Sequence, residues 1–429
     1  MGHEFNPRLN SGYQVWLTTG AGVKLDITQI VAEVNVIESI FENFIYGWID
    51  IADTDGFLEK NQIIGQKGEE IAIEIHSPNQ TGDPAISFIK EFDINSLTDL
   101  KMDNTGTGLV SYRLGFTSHF IGKSNNIRIN RSFSQMTPTE IVEYICIDIL
   151  EMGLDVKTPW ENIVTLFPSR HARPVVVPGW SPVKTINFLC QHAISAEEDD
   201  NYIFFENSEG FHFMPIEELK YGTVKRGLSV SGRPSVEDSV TIDENGEGRV
   251  QGQLAELFSQ PKRFNHTESQ LNGLYGGNLT THNILEKRIK NFEVLYDGVN
   301  EAFIGFSGLD GAGTVTTSSV PNYGYMSDNY FYDVQHKTEK NHYVRRDMKI
   351  SELKTLISTF EMAGDTNIIA GDLISIDVPT KDKSNKLMGI DLMISGEYLV
   401  ASIHHVVHYK DGYSMTIEAV KDGFENEPV

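Results

Sequence analysis

The chain has 429 residues, 40% of them apolar and 22% charged, with 60 acidic side chains against 35 Lys and Arg and a formal charge of −25. That length allows about three domains and a full hydrophobic core without disulfide or metal staples. The acidic balance argues against a nucleic-acid reader, which would show a basic patch, although an acidic wall also suits a conduit that must not bind its cargo, and net charge also serves solubility.

Cys146 and Cys190 lie in separate apolar helical stretches and read as small buried hydrophobes, with no disulfide framework or metal cage. The segment Met1–Phe5 has no basic region followed by an apolar core, so no signal peptide is expected and synthesis is placed in the cytoplasm. No apolar run approaches the ~20 residues of a membrane anchor.

The first stretch reads as β. Tyr13–Leu17, Ile30–Val36, Phe44–Ile51, Phe88–Ile94 and Leu109–Phe116 are short runs rich in β-branched and aromatic residues. Glu70–Ile75 alternates apolar and acidic residues, which buries one face and wets the other, and Asn79–Pro84 is a turn. So many short strands predict a barrel or sandwich over residues 1–118.

Residues 119–222 read as a mixed α/β domain. Thr137–Glu140 is a capping box with proline at the first helical position, and the helix is expected to run to about Met152 and stop at Gly153. An irregular Pro-rich stretch around Pro168, Pro174 and Pro178 follows. Ser181-Pro182 opens a second helix, with Val183, Ile186, Leu189, Cys190, Ala193 and Ile194 on a broad apolar face. After the acidic run Glu197, Glu198, Asp199, Asp200 comes a hairpin, Tyr202–Phe205 and Phe211–Met214 about a turn at Asn207–Gly210.

Residues 223–340 read as the start of a second barrel plus an inserted region of helix and loop. Asp243–Gly248 and Ser307–Gly313 are turn-rich, and Thr267 with Gln270 predicts a capped helix ending near Gly273. From 341 to 429 the β pattern returns in Ile357–Met362, Leu373–Val378, Tyr398–Ile403 and Tyr413–Val420. Asp411-Gly412 predicts a two-residue hairpin turn.

Two segments repeat. Gly68–Ile75 aligns with Gly371–Val378, both reading Gly, acid, any, Ile, small, Ile, acid, β-branched. Gly108–Leu114 and Gly412–Glu418 follow at nearly the same distance. Glycine permits a positive φ at the turn and the alternation sets a two-faced strand. The fold class expected is therefore α+β, mainly β, with two similar antiparallel β-barrels, an inserted α/β domain and a second insertion. Three such chains place six barrels around an axis, so a closed homotrimer can imitate a six-fold ring.

Three stretches carry a family resemblance: Met362–Pro379, Ser395–His404 with the closing Tyr413–Asp422, and the helix-like Asn272–Leu279. They resemble the baseplate hub proteins of contractile-tailed phages and their relatives, late control protein D and the hub half of VgrG spikes. Ile45–Asp53 is similar to the first barrel of those hubs. The residues that carry the motif are Gly364, Asp365, Thr366, Gly371, Asp372, Pro379, Gly396, Tyr398, Asp411 and Gly412. The resemblance implies two tube-like barrels and a trimeric torus in the virion tail baseplate. It implies a trimeric central spike, the tail tube or its initiator and other baseplate proteins as partners, with DNA in transit and no cofactor. With Val429 soon after the second barrel, the spike is expected to be a separate polypeptide.

Catalytic constellations are weaker. His404 and His408 would span about 13 Å along a strand, too far for one metal ion, so they and His405 read as ordinary strand histidines. Asp53-Thr54-Asp55-Gly56 lacks the later ligands of a calcium loop and reads as a turn. Gly308–Gly313 lacks the Lys and Ser/Thr of a phosphate cradle. No Glu stands in a recognisable lysozyme-like helix, which leaves a peptidoglycan hydrolase as the enzymatic alternative and a glycan-binding fibre module as the binding alternative. Glu197–Asp200 are candidate channel or rim acids, and otherwise a solvated loop.

Overall fold

The computed structural model describes residues 12–61, 63, 68–78, 84–102, 109–152, 164–170, 172–197, 201–230, 241–242, 248–249, 253–262, 276–283, 288–295, 316–318, 346, 349–354, 356–378 and 394–421. The first β region comprises β1 (Gly12–Thr18), β2 (Lys24–Asp26), β3 (Val31–Ser39), β4 (Tyr46–Asp53), the short α1 (Phe57–Asn61), β5 (Glu70–Pro78), β6 (Pro84–Met102) and β7 (Val110–Ser118). Its strands lie in the order β2-β1-β5-β6-β7-β4-β3, each antiparallel to its neighbours. Period-two burial follows the sequence: Ile71, Ile73 and Ile75 are at 0% exposure, as are Val34, Val36, Ile49 and Leu114. Removing one such side chain from water stabilises by roughly 1.5–3 kcal/mol.

The middle region contains α2 (His119–Asn126), β8 (Ile129–Met136), α3 (Pro138–Tyr144), β9 (Val164–Leu166), β10 (Arg173–Trp180), α4 (Pro182–Cys190), β11 (Tyr202–Asn207), β12 (Gly210–Pro215) and α5 (Ile216–Lys220). The expected capping box forms: Thr137 Oγ1 accepts from Glu140 N at 3.3 Å and Glu140 Oε2 accepts from Thr137 N at 2.6 Å. After Tyr144 the helix widens into a π-turn over Ile145–Ile149, where Leu150 N donates to Ile145 O at 2.9 Å. α4 ends at Cys190, so Ala193 and Ile194 reach the core from the chain beyond it rather than from the helix face. The stretch read as irregular around Pro174 and Pro178 is instead a strand, β10, paired with β8. Both prolines lie on its exposed face, while Val175 and Val177 turn inward; a two-stranded ribbon has a free edge that tolerates their missing N–H.

The last region begins with β13 (Val224–Ser229), β14 (Thr241–Ile242), β15 (Gly248–Arg249), β16 (Gln253–Lys262), β17 (Gly276–Asn283), β18 (Arg288–Leu295) and β19 (Thr316–Ser318). It ends with β20 (Leu356–Ala363), β21 (Leu373–Asp377), β22 (Gly396–His408) and β23 (Gly412–Lys421). The helix expected from Thr267 to Gly273 lies outside the described residues. The stretch read as helix-like, 272–279, continues into β17, so Gly276–Leu279 are strand residues paired with β18. Pairing with a partner strand decides the structure there over a glycine-rich local pattern that carries little helix propensity of its own.

The duplication is a matter of strand order. β3-β4-β7-β6-β5 and β16-β20-β23-β22-β21 are the same antiparallel five-strand arrangement, connected in the same chain order. The repeated glycines before β5 and β21 both adopt positive φ, 75° at Gly68 and 100° at Gly371. In the second region β13 pairs with both β21 and β16, which closes the pairing circuit into a barrel. The hairpin predicted as a two-residue turn differs. His408 pairs with Gly412, leaving the three-residue loop Tyr409–Asp411, and Gly412 takes φ 77°. A three-residue hairpin needs a left-handed residue at its end, and glycine supplies it.

Candidate functional site

The two β regions are joined into one 13-stranded sheet by a ladder between β3 and β22, from Ser402 opposite Ser39 to His408 opposite Glu33. Where this ladder meets the middle region, charged groups are buried. Both strands alternate, and Glu38 falls on the same inward parity as Val34 and Val36. Its carboxylate, with no exposed surface, lies 3.6 Å from His405 Nε2. It accepts from Ala370 N at 2.9 Å and from Ser208 N at 3.0 Å. One side chain of the first region thus ties down the β11–β12 turn and the loop before β21. A carboxylate so deprived of water requires such donors. His405 Nδ1 lies 2.7 Å from Tyr413 Oη. Burial first, then the charges of Asp365 and Glu38, push the Tyr413 hydroxyl well above the ordinary phenol range.

A second buried pair stands beside it. Lys90 Nζ lies 2.8 Å from Glu206 Oε1, with side chains 1% and 4% exposed. Glu206 Oε2 also accepts from Ile45 N at 3.0 Å. Lys90 shares the inward parity of Phe88 and Phe92 on β6. His212 Nε2 meets Asn207 Oδ1 at 2.9 Å, and Asn207 Nδ2 donates to Ala370 O at 3.0 Å. Burial, with Lys90 nearby, pushes the His212 imidazole down to about 4 against a smaller opposing pull from Glu38.

Five of the motif residues, Gly364, Asp365, Thr366, Gly371 and Asp372, lie in the loop between β20 and β21, which Glu38 reaches at Ala370 N. A Cβ on Gly364 would sit 2.0 Å from the Tyr413 ring, so the ring packs on bare backbone there. Asp365 accepts from Asn367 N at 3.0 Å and pairs with Arg226 of β13; Thr366 beside it is buried. Gly371 N donates to Val400 O and Val400 N to Asp372 O, both at 2.9 Å. Asp372 takes Ile369 N at 3.0 Å and Lys225 Nζ at 3.0 Å, and burial raises its carboxyl above the usual range. Gly396, at φ 126°, begins β22, and Tyr398 Oη donates to Ile394 O at 2.5 Å. Asp411 stands apart at the exposed hairpin, 3.0 Å from His408 Nδ1. Pro379 lies outside the described residues.

Each remaining candidate has a local role. His404 Nε2 meets Asn35 Oδ1 at 2.8 Å. Asp53 accepts from Asp55 N at 2.9 Å and Phe57 N at 2.6 Å, which makes 53–56 a turn that starts α1. Cys146 and Cys190 are buried in one core with thiols pushed up to about 12 by desolvation. Among the described residues no three His, Cys, Asp or Glu are grouped to hold a metal. Glu197 is exposed; Glu198, Asp199, Asp200 and the Gly308–Gly313 loop lie outside the described residues. Glu38, Lys90 and Glu206 were not singled out by sequence, and His405 was read only as an ordinary strand histidine. The available signal was parity: a charged residue at the inward position of an alternating strand.

The arrangement holds the three regions together through buried charged pairs and the backbone hydrogen bonds they accept. Two solved structures share the fold. A tail protein from Neisseria meningitidis MC58 matches with TM-score 0.52 at 10% identity, over 96% of this chain and 98% of that one. The 43 kDa tail protein of prophage MuSo2 from Shewanella oneidensis matches with TM-score 0.55 at 10% identity, over 96% of this chain and 99% of that one. No family model and no curated protein matches the sequence.

Proposed function

We propose that the chain is a structural, non-enzymatic baseplate hub subunit of a phage or phage-like contractile tail. Three copies form a pseudo-six-fold ring that joins the tail tube to a trimeric central spike and lets DNA pass. One observation carries the reading: a single chain holds the same five-strand arrangement twice, fused edge to edge through β3 and β22. Closed cyclic assembly of such a chain repeats one junction around an axis. The fold shared with two tail proteins supports placement in a virion tail.

In this reading residues 1–118 and 341–429, with the start of the region 223–340, are the tube modules, and 119–222 and the rest of 223–340 are insertions. Glu197–Asp200 belong to the channel or rim, and a chain of net charge −25 repels DNA in transit. Electron microscopy of the purified protein, alone and with co-expressed tail proteins, is expected to show rings with a central opening and near-six-fold density. Particles without an opening under every condition, or release of peptidoglycan fragments abolished by one carboxylate change, contradict the reading.

A further inference from the structure

The junction inside the chain has an unfilled counterpart at its two ends. Ladder pairing fixes the equivalence. Leu97 pairs with Leu114, Leu114 with Ile49, and Ile49 with Val34 across the first barrel. Ile403 pairs with Ile417, Ile417 with Phe360, and Phe360 with Phe258 across the second. β6 therefore corresponds to β22, and β3 to β16, with Val34 equivalent to Phe258.

Within the chain, Ser402–His408 of β22 carries β23 on one edge and β3 on the other. The equivalent stretch of β6, Ser96–Met102, carries β7 on one edge. β5 pairs with β6 only as far as Asp93, so among the described residues no strand covers the other edge. β16 shows the complementary gap. β20 covers one edge, and β13 reaches only Gln253 and Leu254 on the other.

Side chains point the same way. Val407 of β22 crosses the junction and is 2% exposed in the core of the first barrel. Following the β6–β7 register through its bulge, the equivalent of Val407 is Met102, because Met102 pairs with Val110 as Val407 pairs with Tyr413. Met102 is 69% exposed and Leu100 51% exposed. An apolar side chain whose counterpart is core, on a strand whose counterpart edge is paired, lacks a neighbour that the fold has already shown how to supply.

We propose that a second copy of this chain supplies it: the open edge of β6, Leu97–Met102, adds antiparallel to β16, Phe258–Lys262, of the next copy. The contact repeats between chains the β3–β22 junction made within each chain, with Lys101 opposite Ser259 and Met102 opposite Phe258. It is heterologous, so it builds a ring when the rotation closes. Backbone pairing removes two open edges that otherwise invite uncontrolled association. The inference rests on the ring reading above and names the strands that make it.

Lys101 and Ser259 are both exposed, so cysteines at these sites test the register without disturbing a core. Oxidised K101C/S259C protein is expected to run on a denaturing gel as a ladder of covalently linked chains, while either single variant runs as one chain. M102D is expected to weaken self-association by roughly tenfold or more, with unchanged melting of the single chain. Oligomers of normal mass without cross-linking overturn the strand assignment and leave the ring intact. A wild-type chain that never associates overturns both.

Discussion

The two β regions share a five-strand arrangement, yet their sixth strands run in opposite directions. β1 joins β5 antiparallel, whereas β13 joins β21 parallel. β1 arrives from the N-terminus and β13 from α5 of the middle region, so each enters its barrel from a different end. The ladder accepts either direction because both orientations satisfy backbone N–H and C=O groups. The five-strand arrangement is thus the repeated part of the duplication within this chain, and the sixth place is filled by whichever strand the connection delivers. The same difference shows at the repeated glycines. A Cβ on Gly68 meets nothing within 4 Å, while one on Gly371 meets Phe205 and Leu219 of the middle region at 3.4 and 3.5 Å.

The largest expected effect tests whether the first barrel depends on that middle region as strongly as the second. Lys90→Met leaves the Glu206 carboxylate buried without its cation, and should cost about 3–5 kcal/mol of unfolding free energy by denaturant titration. Adding Glu206→Gln, which keeps an acceptor for Ile45 N, should restore a large part. A single variant within about 1 kcal/mol of the parent would mean the pair does not hold the regions together.

Next comes acid. The His212 imidazole titrates near 4 in the fold against about 6.5 unfolded, so the unfolded chain takes up the proton first as pH falls. Stability contributed by neutral His212 is present above about pH 6.5 and lost progressively down to about pH 4, by at most about 3 kcal/mol. His212→Gln keeps a donor toward Asn207 and should flatten that part of the stability profile; an unchanged profile would assign the acid sensitivity elsewhere.

The glycines give the smallest effect and the finest comparison. Gly68→Ala, at φ 75°, lies near the left-handed well and should cost about 1–2 kcal/mol. Gly371→Ala, at φ 100°, lies farther from that well and should cost more, about 2–3 kcal/mol. Equal losses in thermal melts would show that the two turns are energetically alike.

Much of this fold was legible in the sequence because period-two burial is a local signal. Glu70–Ile75, Leu373–Val378 and Tyr413–Val420 announce strands through alternation, and Thr137 with Glu140 announces a helix through its cap. β10 was missed because Pro174 and Pro178 read as breakers, and only a free ribbon edge makes them tolerable. β6 was expected to stop at Ile94 but continues to Met102, because β7 supplies pairing where the polar sequence Asn95–Asp99 carries no strand pattern of its own. The junction was out of reach for a different reason. Glu38, Ser208, Ala370 and His405 meet only after three regions dock, and no local pattern encodes docking.

The central claim is that this chain closes a ring from repeated edge-to-edge junctions, and the mass in solution tests it most directly. Light scattering across a concentration series, alone and with co-expressed tail proteins, should give about three times the chain mass of 48.1 kDa. A mass of one chain under every condition would contradict the account.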